Sequence, residues 1–181
     1  MATEIATLAA GCFWCYEAIY DDVKGVLSVE SGYIGGHVPD PSYRQVCGGD
    51  TGHAEAIRVT FDSDTISYDE LLDIFFATHD PTQLNRQGND VGTQYRSAIF
   101  PHDADQEAAA RAGIKRAQAD WTNPIVTTIE PLSDWYPVED YHQSYWEGEG
   151  QRNPYCLATI PPKLKKLRKS FQNRLKDQPV A

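Results

Sequence analysis

Features that would assign this chain to several special classes are missing from its sequence. No apolar run approaches the roughly 20 residues that a membrane-spanning helix needs, so we expect no membrane partner. Residues 1–10 lack the basic start of a secretory signal, and we therefore expect a cytoplasmic protein. Four cysteines in 181 residues are too few for a disulfide scaffold, and the chain contains no internal repeat or low-complexity tract.

The patterns that hold metals and phosphates are also missing. A structural zinc site needs about four ligands, but the single Cys-x-x-Cys pair has neither a second such pair nor a His-x-x-x-His pair to complete it. The glycine pairs at residues 35–36 and 48–49 do not lie between a strand and a helix, where phosphate-binding loops occur. The sequence therefore offers neither a complete zinc site nor a phosphate-binding loop.

Charge is unevenly distributed along the chain. The net charge is −10, and residues 161–181 hold seven basic residues and one acidic residue, a balance of +6 that leaves −16 for the rest. The acidic body argues against nucleic acid as a partner. We interpret residues 161–181 as a basic C-terminal helix with a solvated face, and an interaction patch is the alternative. The length suits one domain, residues 1–181, and we expect a monomer.

Hydrophobic periodicity predicts strands that alternate with helices. The predicted strands are residues 5–10, 26–33, 55–61, 95–100 and 125–129, and residues 157–160 also look strand-like. The predicted helices are residues 16–23, a helix that a capping box of Ser67 and Glu70 begins, residues 103–119, and a C-terminal helix that buries Leu164, Leu167, Phe171 and Leu175. Residues 35–53 and 80–93 are predicted loops. Because the second and third strands follow one another without a helix, we expect an α+β fold. It would have a mixed sheet with helices packed on it and a ferredoxin-like split βαβ core in a two-layer sandwich.

Cys12 lies between the first predicted strand and the first helix, at a position suited to a nucleophile. Unpaired N–H groups at a helix start stabilise a thiolate, so we expect the pKa of Cys12 to be lowered. Gly11 should allow close approach of a substrate. Phe13 and Trp14 cannot both point into one core stripe, so we expect one to be exposed at the site. The pair Cys12 and Cys15 also fits a general thiol–disulfide oxidoreductase.

The residues around Cys12 resemble a known family. Gly11-Cys12-Phe13-Trp14 is similar to the signature of the A-type peptide methionine sulfoxide reductases. Further segments that resemble the same family follow in order: residues 32–36 (GYIGG), 41–47 (PSYRQVC), 51–56 (TGHAEA), 79–83 (HDPTQ), 86–97 (RQGNDVGTQYRS) and 139–143 (EDYHQ). The resemblance covers most of the chain, from Gly11 to Cys156.

The resemblance implies an enzyme that reduces the S epimer of methionine sulfoxide, free or in proteins, without a metal or an organic cofactor. Cys12 would attack the sulfoxide sulfur and become a sulfenic acid, while Glu55 would protonate the oxygen, which requires a carboxyl kept protonated by burial. The implied substrate-binding residues are Phe13 and Trp14 around the methyl group, Tyr43 and Tyr95 at the oxygen, and Asp90 as an orienting group.

The thiol that restores Cys12 stays open at this point. The family often uses a cysteine near the C-terminus, which corresponds to Cys156, and we prefer Cys156 slightly. Cys15, one helical turn from Cys12, is the alternative because it needs little movement to form a disulfide. Cys47 and the five histidines are expected to be structural, and the resemblance implies thioredoxin as the reductant. A binding module that recruits a partner through the basic segment is a further alternative function.

Overall fold

The computed structural model describes residues 2–139 and 152–176. Residues 140–143 of the last family-like segment, and residues 177–181 at the end of the basic segment, lie outside the described residues. The strands are β1 (Thr3–Ala10), β2 (Val26–Ile34), β3 (Ala54–Asp62), β4 (Arg86–Gln87), β5 (Asp90–Val91), β6 (Ser97–Phe100), β7 (Thr128–Ile129) and β8 (Tyr136–Pro137). The α-helices are α1 (Phe13–Asp21), α2 (Tyr43–Cys47), α3 (Tyr68–Thr78), α4 (Ala104–Ala117) and α5 (Pro154–Phe171), and short 3-10 turns cover Thr93–Tyr95, Gln118–Asp120 and Gln172–Arg174.

Six of these strands form one mixed sheet in the order β7-β6-β1-β3-β2-β8. β3 is antiparallel to both β1 and β2, so β1 and β2 are parallel, with β3 between them and α1 connecting them. In the same way α3 connects β3 to β6 across β1, and α4 connects β6 to its parallel neighbour β7. These are two split βαβ units, and the predicted α+β fold with a mixed sheet and a ferredoxin-like core is confirmed.

Alternation along the central strands creates two unequal faces of the sheet. Along β3, Ile57, Val59 and Phe61 point into the main core, together with buried residues of α1, α3 and α5. Ala54 and Ala56 point to the other face, where a smaller apolar cluster includes Phe100 and is covered in part by Trp135. Because successive side chains of a strand face opposite ways, Glu55 lies on the same face of β3 as Ile57, near the end of the sheet where β1 stops.

Local signals account for the helix starts that the sequence predicts. Ser67 and Glu70 form both hydrogen bonds of a capping box at the start of α3, and Asp103 caps α4 by accepting the Gln106 N–H. The predicted loops contain more structure than expected. Residues 35–53 include α2, which Ser42 caps, and residues 80–93 include the hairpin of β4 and β5.

The strand-like interpretation of residues 157–160 is wrong, because these residues belong to α5. Asn153 caps this helix by accepting the Tyr155 N–H at 2.9 Å, and Pro154 occupies its first turn, where a missing N–H costs nothing. Cys156 and Ile160 lie four residues apart and are both buried, and together with Leu164 and Leu167 they form one apolar face of the helix. No helix within the described residues is long and apolar enough to cross a membrane.

Candidate active site

Cys12 lies where β1 ends and α1 begins, next to the start of β3. It is the N-cap residue of α1, and the register that pairs Leu8 with Ile57 brings this end of β1 beside the first residues of β3. Gly11 has a φ of 92°, and a Cβ there would lie 2.7 Å from the Cβ of Gln87. Glycine at position 11 therefore makes room for the Gln87 side chain, rather than for the substrate as we expected.

Cys12 and Cys15 lie one helical turn apart at the start of α1, and their thiol groups interact. The hydrogen bond to Cys15 and burial together raise the pKa of Cys12 well above its usual value, although the Trp14 N–H at the helix start acts in the opposite direction. The same hydrogen bond, with help from Lys163 and Thr159, lowers the pKa of Cys15 to about 7. The expected effect of the helix start on the pKa of Cys12 is thus present but outweighed.

Glu55 is the second residue of β3 and is only 1% exposed. Burial raises the pKa of its carboxyl to about 8, although a hydrogen bond from the Phe13 N–H at 3.3 Å favours the charged form. Negative charge at Asp90 and Cys15 raises this pKa further. The carboxyl is therefore mainly protonated at neutral pH, and the same hydrogen bond ties it to the residue that follows Cys12.

Three aromatic rings pack together beside the thiol pair. Tyr43, the first residue of α2, stacks on Trp14 and Phe13 with ring centroids 5.8 Å and 6.4 Å apart. The prediction that Phe13 or Trp14 is exposed is wrong, because both are buried, with 1% and 9% of their surfaces accessible. The ring of Tyr43, which comes from the loop before β3, contacts both of them. The sequence pattern of α1 alone does not reveal this contact.

The two tyrosines predicted to bind the substrate oxygen are half-buried and lie within electrostatic reach of Glu55. Burial, followed by the charge of Glu55, raises the pKa of both Tyr43 and Tyr95 well above the usual value. Their hydroxyl groups are therefore protonated at neutral pH and can donate hydrogen bonds. The 3-10 turn Thr93–Tyr95, just before β6, positions Tyr95.

A cavity of about 180 Å³ opens onto Cys12. Its lining residues are Cys12, Gln87, Gly88, Asn89, Asp90, Tyr155, Thr159 and Lys163. Asp90 accepts a hydrogen bond from the Tyr155 hydroxyl, which connects the β4–β5 hairpin to α5. The structure thus brings Cys12 and Asp90 together at the cavity. Glu55 and the aromatic residues Phe13 and Trp14 are buried beside Cys12.

Sequence reasoning missed the contribution of α5 to this cavity. Tyr155, Thr159 and Lys163 follow one another at intervals of four residues, so they lie on one face of α5. This spacing is visible in the sequence, but it was hidden by the strand-like interpretation of residues 157–160. Gln87 belongs to a segment that resembles the family, yet its contact with Gly11 required the structure.

The other two cysteines differ in their surroundings. Cys156 is fully buried in the first turn of α5, and burial and the negative charge of Cys15 raise its pKa to about 11. Cys47, expected to be structural, is exposed at the end of α2, where its thiol interacts with the Tyr43 hydroxyl.

Two buried histidines, His79 and His53, have structural contacts. His79 is buried between the Phe75 carbonyl and the Ser97 hydroxyl, and burial lowers its pKa to about 3. His53 accepts the Gly36 N–H and contacts the Val38 carbonyl. No three His, Cys, Asp or Glu residues within 2–139 and 152–176 are grouped so that they could hold a metal ion.

Two other cavities are larger. One, of about 300 Å³, lies between α4 and the segment around β7, and the other, of about 540 Å³, is lined mainly by residues of α3, α4 and α5. Neither has a cysteine among its described lining residues. The smaller cavity at Cys12 is therefore the candidate active site.

Comparison with known proteins finds similarity over almost the whole chain. Residues 4–175 match the family described as peptide methionine sulfoxide reductase. The peptide methionine sulfoxide reductase MsrA of Erwinia tasmaniensis is 67% identical over 171 residues, which cover 94% of this chain and 96% of that protein.

Solved structures of yeast Mxr1 are similar in fold. The reduced form of Mxr1 from Saccharomyces cerevisiae has a TM-score of 0.74 at 40% identity, and the match covers 84% of this chain and 86% of that chain. Mxr1 in complex with Trx2 matches with a TM-score of 0.54 at 30% identity, over 79% of this chain and 84% of that chain.

Proposed function

The chain belongs to the peptide methionine sulfoxide reductase family, and from this premise we propose that it reduces the S epimer of methionine sulfoxide with Cys12 as nucleophile and Glu55 as acid. The observation that carries the proposal is the buried Glu55 carboxyl, which is bound to the Phe13 N–H immediately after Cys12 and is protonated at neutral pH. We propose that residues 1–181 act as a single catalytic domain and that the enzyme works in the cytoplasm as a monomer.

In the first step the Cys12 sulfur attacks the sulfoxide sulfur. The Cys12 proton moves to Cys15, whose lower pKa makes it the acceptor of the pair. Glu55 protonates the sulfoxide oxygen, because oxide is a poor leaving group. The oxygen is transferred to Cys12 as a sulfenic acid, so that methionine is reduced by two electrons and Cys12 is oxidised by two.

The substrate is held by groups of two kinds. The hydroxyl groups of Tyr43 and Tyr95 donate hydrogen bonds to the oxygen, where negative charge develops during attack. Phe13 and Trp14 contact the methyl group, while Asp90, fixed by Tyr155, orients the remainder of the substrate. An apolar cup on one side of sulfur and an oxygen clamp on the other recognise one hand of the sulfoxide.

In the second step Cys15 attacks the sulfenic acid, forms a Cys12–Cys15 disulfide and releases water. Cys15 lies in the first turn of the helix that Cys12 caps, so little movement is needed to join the two sulfurs. Cys156, which the sequence favoured slightly, is fully buried in a different helix, α5. Cys156 is therefore the second candidate.

Thioredoxin is the proposed reductant of the resulting disulfide. The support comes from Mxr1, a relative of similar fold whose structure was solved in complex with Trx2. A reductant with two thiols returns the protein to its reduced state by two successive thiol–disulfide exchanges.

The test is an assay of the separate S and R epimers of methionine sulfoxide with wild-type protein and two variants. We expect activity on the S epimer, loss of that activity in Cys12→Ser, and retention of activity in the matched control Cys47→Ser. Full activity of Cys12→Ser would overturn the proposed nucleophile. Preference for the R epimer would overturn the proposed substrate.

Mapping the disulfide after one turnover without reductant identifies the resolving thiol. We expect a peptide pair that joins Cys12 to Cys15. A pair that joins Cys12 to Cys156 would instead identify Cys156.

A further inference from the structure

We propose that Thr159 and Lys163 hold Cys15 as the leaving sulfur when the disulfide is reduced, so that the incoming thiol attacks Cys12. The inference rests on the proposed function, in that it needs the Cys12–Cys15 disulfide to form. The proposed function does not say which of the two sulfurs the reductant attacks. Residues of α5 determine this choice.

The first observation is the position of Thr159 and Lys163 on one face of α5. The Cys15 thiol donates a hydrogen bond to the Thr159 hydroxyl, with 3.9 Å between sulfur and oxygen, and Thr159 donates its own proton to the Tyr155 carbonyl at 2.9 Å. A hydroxyl can rotate, so Thr159 can donate to Cys15 once that sulfur is charged. Thr159 is thus in contact with the sulfur that would leave.

Lys163, one turn further along α5, adds a positive charge. Its ammonium group lies 5.3 Å from the centre of the Tyr16 ring, next to Cys15 in α1. This contact holds the charge close to the Cys15 sulfur, where it favours the thiolate. Lys163 does not touch the sulfur itself, so it is a positioning residue.

Several other titratable groups act on the same sulfur. Asp90 of β5 and Glu55 of β3 are acidic groups that interact with Cys15, and Cys12 shares a proton with it. The remaining groups are Tyr16 of α1 and Tyr155 and Cys156 of α5. Lys163 is the positively charged member of this set, so it offsets the acidic neighbours.

The two cysteine residues also differ in access. Cys12 lines the cavity and is 7% exposed, whereas Cys15 is 1% exposed. A thiolate from outside therefore reaches Cys12 first. A thiol with a lower pKa leaves faster in thiol–disulfide exchange, and Cys15 is the thiol of the pair with the lower pKa. Access and leaving ability favour the same direction of attack.

The chemistry of this step balances without a further reagent. The external thiolate forms a bond to the Cys12 sulfur, the Cys12–Cys15 bond breaks, and its electron pair stays on Cys15 as a thiolate. The second thiol of a dithiol reductant then attacks the reductant's own sulfur in the mixed disulfide. This attack releases Cys12 as a thiolate, which takes up a proton, and the reductant leaves as a disulfide.

The direction of attack is tested with the full chain, oxidised by a single turnover and then treated with glutathione as a monothiol probe. After acid quenching and alkylation, peptide mapping should find glutathione on Cys12 and an alkylated Cys15. Glutathione on Cys15 would overturn the inference. Since the starting disulfide is mapped in the same sample, a Cys12–Cys156 disulfide would show that the proposed resolution has failed instead.

The roles of Thr159 and Lys163 are tested by the rate of this exchange. We expect Lys163→Met and Thr159→Val each to slow it about 3- to 10-fold, as a less stable leaving thiolate requires. Lys165→Met, at an exposed position of the same helix, should react at the wild-type rate. Equal rates for Lys163→Met and Lys165→Met would overturn the role of Lys163.

A pH titration separates this role from a structural one. In a Cys12→Ser background, the ultraviolet absorbance of the Cys15 thiolate should titrate at higher pH in Lys163→Met and return towards the parent value in Lys163→Arg, which keeps the charge. An unshifted titration in Lys163→Met, or a failure of Lys163→Arg to restore it, would contradict the inference.

Discussion

The substitution Glu55→Gln should change how the stability of the protein depends on pH. The pKa of this carboxyl rises from an ordinary value of 4.5 to about 8 on folding, because the group is buried. Between these two values the folded state retains a proton that the unfolded state has lost, so the contribution of Glu55 to stability falls as pH rises. From pH 5 to pH 8 this loss amounts to about 3 to 4 kcal/mol.

Glutamine carries no such proton, so the loss should be absent from the variant. The assay is urea unfolding of wild type and Glu55→Gln at pH 5 and pH 8, in which the difference between the two proteins cancels the contribution of other groups. The free energy of unfolding of Glu55→Gln, relative to that of wild type, should be about 3 to 4 kcal/mol higher at pH 8 than at pH 5. Glu4→Gln, at an exposed position of β1, is the matched control and should show no such gain.

An unchanged difference between wild type and Glu55→Gln at pH 5 and pH 8 would refute the reasoning. It would mean that Glu55 ionises in the folded protein as readily as in the unfolded chain. In that case the carboxyl would be charged at neutral pH and would not supply a proton to the sulfoxide oxygen.

Three other predictions follow from the same site. The single-turnover rate should peak between about pH 7 and pH 8, since it needs the thiolate that forms near pH 7 and protonated Glu55; stopped-flow measurement of Glu55→Gln should show no fall above pH 8. Tyr43→Phe and Tyr95→Phe should each lower kcat about 100-fold with intact folding, as circular dichroism would check; a change below twofold would exclude an oxygen-binding role. Tyr155→Phe should cost about 1 kcal/mol in urea unfolding, because it removes the hydrogen bond to Asp90; unchanged stability would contradict this.

The sequence predicts well those features that depend on local chemistry. The caps of α3 and α4 at Ser67 and Asp103 follow from hydrogen bonds between near neighbours, and the sequence predicts both. The split βαβ core follows from two strands in succession, β2 and β3, with only the five-residue helix α2 between them. The position of Cys12 at a strand–helix junction is also predictable from the sequence, because it depends only on where β1 ends.

Other features were missed, because they depend on burial and on how the helices pack together. Residues 157–160 look strand-like, yet the cap at Asn153 and the buried face that continues to Leu164 make them helical. The pKa of Cys12 depends on Cys15 and on burial more than on the helix start. The approach of Lys163 to Cys15 depends on the packing of α5 against α1, which joins parts of the chain that are far apart in sequence.

The central claim is that Cys12 attacks the sulfoxide and that Cys15 then restores it. The most direct test is a single turnover of Cys15→Ser without reductant, in the presence of dimedone, which captures sulfenic acids. We predict one methionine released per chain and a dimedone adduct on Cys12, whereas wild type should release one methionine and form the Cys12–Cys15 disulfide without an adduct. A Cys15→Ser protein that releases methionine but carries no adduct on Cys12, or carries it on another cysteine, would contradict the account.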